Sequence, residues 1–151
     1  MLGNDCLGLY HSENNQIDLL TPEAFHVSHG DSEFCEKIPE DVHFDSIIVH
    51  ELTHALLDQV PGGKVSNLVD QEYIAYAMQL EIMPEPVRDR FISSIGLTAP
   101  VDAGRINELT ILFSPSKFAA SSWLHFSSSG NGCDFVGEII KEEKTLWQEP
   151  F

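Results

Sequence analysis

Residues 39–63 constrain this chain more than any other stretch. Pro39-Glu40-Asp41 offers the proline and the two acids that suit a helix N-terminus, and Val60-Pro61-Gly62-Gly63 stops the helix near Gln59. Between them, Ile47, Ile48, Val49, Leu52, Ala55, Leu56 and Leu57 bury the helix on most sides, yet the same stretch contains His50-Glu51-Leu52-Thr53-His54. A helix turns by about 100° per residue, so His50 and His54 stand one turn apart on one face and can aim two imidazoles at one point. A second helix pattern runs from Asn67 to about Ile82, with Ser66 or Asn67 as cap, Asp70 in the first turn, and Pro84 and Pro86 beyond the end. The two helices are expected to form a hairpin.

Two imidazoles converging in this way are half of a zinc site. Glu51 lies beside His50 around the helix, so its carboxylate can reach a water on the ion without being a ligand, which is the mechanical content of H-E-x-x-H. Zinc moves the pKa of such a water toward neutrality, and the glutamate takes its proton and later delivers it to the leaving amine. On the order of a few chains in a thousand of this length contain the pattern by accident, so its surroundings decide. Without a metal, two imidazoles and a glutamate would have to be accommodated among apolar neighbours.

A catalytic zinc takes three protein ligands and leaves a position open. The three-histidine arrangement of the metzincins is excluded, because Val60 stands where its third histidine belongs and Leu57 where its glycine belongs. The second helix instead carries Glu72, 18 positions after His54. Asp70 is its competitor, since "DQEY" also places an acid before a tyrosine as in the aspzincins, but the glycines of that family are missing and a first-turn helix acid explains Asp70. The combination "HELTH" (50–54), a short glycine turn and "EYIAYA" (72–77) resembles the gluzincin branch of the zinc metallopeptidases. In that family the third ligand is a glutamate followed three residues later by a small residue, here Ala75. The upstream "GLYHSENNQIDLL" is similar to the family's edge strand, which pairs with extended substrate. The resemblance covers residues 8–82, is strongest over 49–77, and extends to the small size of the minimal gluzincins. It implies one zinc ion held by His50, His54 and Glu72, with Glu51 as general base. The C-terminal half matches no family pattern, so substrate specificity does not carry over.

Gluzincins also use a histidine or tyrosine to hold the oxyanion of the tetrahedral intermediate. His125 in "SSWLHF" and Tyr76, one turn after Glu72, are the residues assigned here to that catalytic role; Tyr73 and Tyr10 are also available. The competing expectation for His125 is an ordinary core histidine on an apolar helix. His11, His26, His29 and His43 are expected in loops or at the surface, and Asp58 as an exposed helix-end acid, with a supporting role behind His54 as the alternative.

Around this centre, residues 7–20 suggest two short strands about a polar turn at Glu13-Asn14-Asn15. Residues 21–38 show little periodicity and are expected to be a loop with one more short strand. Further helices are expected over 87–96, 101–113 and from Ser114-Pro115 through "KFAASSWLHF", then a mobile loop at "SSSGNG" (127–132) and an amphipathic helix over about Phe135 to Trp147. No linker or internal repeat divides the chain. The expected fold class is α+β: one small zincin-like domain over residues 1–151, with a short N-terminal antiparallel sheet, an active-site helix, a glutamate-bearing helix and a mainly helical C-terminal half.

Composition trims the partners. Eight basic against 24 acidic residues give a net charge of -16, which repels phosphate backbones and argues against nucleic acid. No stretch is apolar and long enough for a bilayer, so no membrane insertion is expected. The three cysteines, Cys6, Cys35 and Cys133, are too far apart for a cysteine zinc site and fit either one disulfide with a free thiol or three thiols. The compartment stays open: periplasmic or secreted is favoured if Met1 is not the native start, cytoplasmic if it is. Two functions are carried forward, a zinc metallopeptidase acting on a peptide or protein substrate, and a non-catalytic, zinc-stabilised binding module on the same scaffold. The sequence says nothing of the oligomeric state.

Overall fold

The computed structural model describes residues 7–29, 37–61, 65–128 and 130–147. The architecture is α+β. Strands β1 (Gly8–His11) and β2 (Gln16–Leu19) pair antiparallel with Gly8 opposite Leu19 and His11 opposite Gln16. Asn15, at φ 53°, turns the chain between them.

Where a loop and strand are expected after residue 20, the structure has helix α1 (Pro22–His29). Thr21 Oγ1 accepts from the Ala24 amide at 3.3 Å, Pro22 and Glu23 open the first turn, and Phe25 is buried edge-on against His43 and Phe44. Eight residues of mixed composition show no helical period, and the Thr-Pro-Glu start is the signal that was there to be used. The rest of that stretch, 30–36, lies outside the described residues, as do Cys6 and Cys35; Cys133 is a free, exposed thiol.

Helix α2 (Glu40–Asp58) and helix α3 (Leu68–Glu81) follow the expected bounds, and Asn67 caps α3 by accepting from the Asp70 amide at 2.9 Å. Helix α4 (Glu85–Ile95) ends at Gly96 in the left-handed region, at φ 76°. The single helix expected over 101–113 is broken. Asp102 caps one 3-10 turn (Ala103–Arg105), and Asn107 then starts helix α5 (Glu108–Phe113) by accepting from the Thr110 amide. Helix α6 (Pro115–Phe126) and helix α7 (Cys133–Ile140) complete the described elements.

Helix α7 starts two residues before the expected start and stops well short of Trp147. Glu142, at φ 58°, turns the chain away, and the non-helical segment that follows docks on α3: Leu146 donates its amide to Asp70 Oδ1 and Thr145 its hydroxyl to Asp70 Oδ2, both at 2.7 Å. Leu146 is buried by this docking rather than by a helix face.

Helix α3 is the centre of the molecule. Val69, Tyr73, Ile74, Ala75, Ala77 and Leu80 are all buried, and α3 packs most extensively on α6 and α2. Ala119 and Ala120 of α6 are fully buried too, and small side chains of this kind let helices approach closely. The sheet lies on α2 rather than on a core of its own. Tyr10 donates its hydroxyl to Asp58 at 3.0 Å, and Gln59 reaches Asn15 at 3.2 Å, so the hairpin is tied to the C-terminal end of α2. Among the described residues, no helix is long and apolar enough to cross a membrane.

Candidate metal centre

Helices α2 and α3 bring His50, His54 and Glu72 to one point. His50 Nε2 and His54 Nε2 are 3.2 Å apart; Glu72 places Oε1 3.3 Å from His54 Nε2 and Oε2 3.5 Å from His50 Nε2. One ligand atom from each lies within 4.8 Å of the others. The group is close enough to hold a metal ion. Around a tetrahedral ion with bonds of about 2.0–2.1 Å, neighbouring ligand atoms stand about 3.3–3.4 Å apart; the two imidazole nitrogens approach that separation from each other, and each approaches it from a different oxygen of Glu72.

The electrostatics agree with a cation at the centre. Burial would raise the Glu72 carboxyl, but hydrogen bonds and positive charge from His50 and His54 outweigh it and hold the group at about 2. Burial likewise works to lower His54, and the hydrogen bond and charge of Glu72, with the charge of Glu51, raise it above its ordinary value.

Glu51 is 7 % exposed and sits beneath the sheet. A Cβ on Gly8 would come within 2.9 Å of Glu51 Cγ and of Ile47 Cγ2, and within 3.1 Å of Glu51 Oε1, so β1 can lie this close only because residue 8 has no side chain. Tyr76 packs its ring edge-on against that of His50, with centroids 4.5 Å apart, one turn after Glu72 on α3. His125 is placed differently: its contacts run to Tyr73, whose hydroxyl is 3.0 Å from Nδ1, and to the ring of Phe135. Burial lowers His125 below its ordinary value and keeps the fully buried Tyr73 hydroxyl protonated far above its own.

Asp70 takes no part in the cluster. Its carboxylate is used up by Leu146, Thr145 and Asn67, which makes it an anchor for the C-terminal segment. Asp58 pairs with Tyr10 and not with His54. His43, expected at the surface, is 1 % exposed on α2 beneath Phe25. His11 on β1 pairs with Asp18 at 3.1 Å, and His26, on α1 rather than in a loop, pairs with Glu40 at 2.6 Å. The side chain of His29 lies outside the described residues.

One neighbour of the cluster escaped the sequence reading. Gln79 Oε1 lies 3.0 Å from His50 Nδ1, and Gln79 Nε2 donates to Ser46 Oγ at 3.1 Å. The sequence puts it on the face of Glu72, seven residues and two turns further along α3, but carries no sign of its burial.

The family of unknown function DUF6639 matches residues 1–149, and the chain belongs to it. No curated protein and no solved structure matches.

Proposed function

We propose that this member of DUF6639 is a zinc-dependent metallopeptidase of gluzincin type, with His50, His54 and Glu72 as the zinc ligands and Glu51 as the general base. The observation that carries this reading is the convergence of His50 Nε2, His54 Nε2 and the two Glu72 carboxylate oxygens, at separations of 3.2, 3.3 and 3.5 Å, on the two helices that bear H-E-x-x-H and the following glutamate. Zinc held there supplies a Lewis acid that polarises a peptide carbonyl and makes water acidic near neutral pH. Glu51 follows His50 on the helix and takes the proton of the attacking water, then returns it to the leaving amine nitrogen. An extended peptide lies along the sheet near residues 7–12 or 16–20, whose strand β1 runs over Glu51.

Tyr76 is the oxyanion candidate that the geometry supports, while His125, whose contacts run to Tyr73 and Phe135, keeps that role from the sequence pattern alone. Tyr76 stands against a ligand ring. If the Tyr73 hydroxyl, which burial keeps protonated, is the donor in its 3.0 Å contact with His125 Nδ1, a neutral imidazole carries its proton on Nε2.

Glu51→Gln is expected to keep zinc and lose peptide hydrolysis; persisting hydrolysis would remove Glu51 as the base. Glu72→Ala is expected to lose zinc, and unchanged zinc stoichiometry would remove it as a ligand. A second reading, a zinc-stabilised binding module without turnover, draws on the burial of Glu51 under Gly8. A broad peptide library incubated with the zinc-loaded chain separates the two, because only the peptidase yields cleavage products.

A further inference from the structure

Gln79 is completely buried, with one end of its carboxamide on a metal-ligand histidine and the other on a hydroxyl. The Ser46 hydroxyl donates to the His43 carbonyl at 2.7 Å, so its oxygen accepts from Gln79 Nε2. That fixes the orientation of the amide: Oε1 faces His50, and a carbonyl oxygen only accepts. His50 Nδ1 must then carry the proton. Donation therefore runs one way, from His50 to Gln79, from Gln79 to Ser46 and from Ser46 to the backbone of α2. A flipped amide would place its N–H against Nδ1 and move the imidazole proton to Nε2, the atom that faces His54 and Glu72.

We propose that Gln79 is the positioning residue of this centre: its Ser46-anchored carboxamide holds His50 in the Nδ1-protonated tautomer and so keeps Nε2 bare for a divalent metal ion. The proposal rests on His50, His54 and Glu72 forming the metal site. Gln79 itself touches neither metal nor substrate. Its neutral amide orients the ring without adding a third carboxylate to the two, Glu72 and Glu51, already at or beside the cluster.

The test uses the full chain with 15N-labelled histidine, first metal-free and then titrated with zinc alone. In the wild type, nitrogen shifts recorded where the His50 ring is neutral are expected to report a protonated Nδ1 and a bare Nε2. Gln79→Leu is expected to give mixed tautomers and zinc binding weakened by about 10–100-fold. Gln79→Glu, which keeps an acceptor oxygen in place, is expected to retain the tautomer and bind zinc more tightly than Gln79→Leu. Ser46→Ala, which frees the amide to turn, is expected to fall between wild type and Gln79→Leu. A wild-type His50 protonated on Nε2, or a folded Gln79→Leu that binds zinc as tightly as wild type, would overturn the proposal and leave the metal site standing. A wild-type chain that binds no zinc would overturn both. If Gln79→Leu does not fold, the wild-type ring pattern and Ser46→Ala decide the matter.

Discussion

Glu51 owes its place to a residue without a side chain. Adding a methyl group at Gly8 brings carbon within 2.9 Å of Glu51 Cγ and Ile47 Cγ2, closer than real Cβ contacts, so either the strand or the carboxylate has to shift. Gly8→Ala is therefore expected to keep zinc and lower peptide turnover by about 10–100-fold, since misplacement of a reacting group by about 1 Å has that order of effect. Turnover equal to wild type would show that the register of β1 over Glu51 does not matter. His125 gives a pH test. Its folded pKa is depressed by burial, so the fold favours the neutral ring. The stability it contributes is complete above the ordinary value of 6.5 and is lost as the pH falls through the lower folded value. Proton NMR is expected to show the His125 ring titrating below 6.5, and His125→Gln is expected to lose less stability than wild type between neutral and acidic pH; a ring that titrates above 6.5 contradicts the burial account. At this scale, the cluster was the legible part, because His50, His54 and Glu72 announce themselves by residue type and helical spacing. Gln79 and His43 did not, since a buried glutamine and a surface glutamine look alike until the partner helix is known.

At the scale of elements, Asp70 decides how the C-terminal segment is held. Removing its carboxylate leaves the buried Leu146 amide without its acceptor and weakens the Asn67 cap of α3. Asp70→Ala is expected to cost about 2–3 kcal/mol in chemical denaturation with zinc stoichiometry unchanged. Loss of zinc together with an intact fold would instead bring Asp70 back as a ligand. This docking also explains where helix periodicity misleads. The apolar and acidic alternation continues past Ile140 to Trp147, but Leu146 is buried against α3 by a turned segment, not by a further helical face. The same limit applies to residues 101–113, where the capping side chains of Asp102 and Asn107 outweigh the apolar pattern that runs through them. Helix α1 is held by Phe25 against α2, a tertiary contact that eight mixed residues do not advertise.

For the whole molecule, the hairpin of α2 and α3 was readable because each helix has a start, a stop and a short turn between. That α3 would be the central element, packed on α6 as closely as on α2, was not, because fully buried alanines carry no directional signal. The proposed metal centre joins α2 to α3, so its occupation is expected to be felt globally. With free zinc at about 100 times its dissociation constant, the folded state gains about 2.7 kcal/mol. For a chain of this length that corresponds to a melting temperature higher by about 5–10 °C, reversed by a chelator. His50→Ala with Glu72→Ala is expected to abolish the difference. The most direct measurement of the central claim is anomalous scattering at the zinc edge from a crystal of the zinc-loaded chain. The account predicts one peak bonded to His50 Nε2, His54 Nε2 and a Glu72 carboxylate oxygen, with Glu51 beside it and not bonded to it; no peak at these residues, or a peak that takes Glu51 as a ligand, would contradict it.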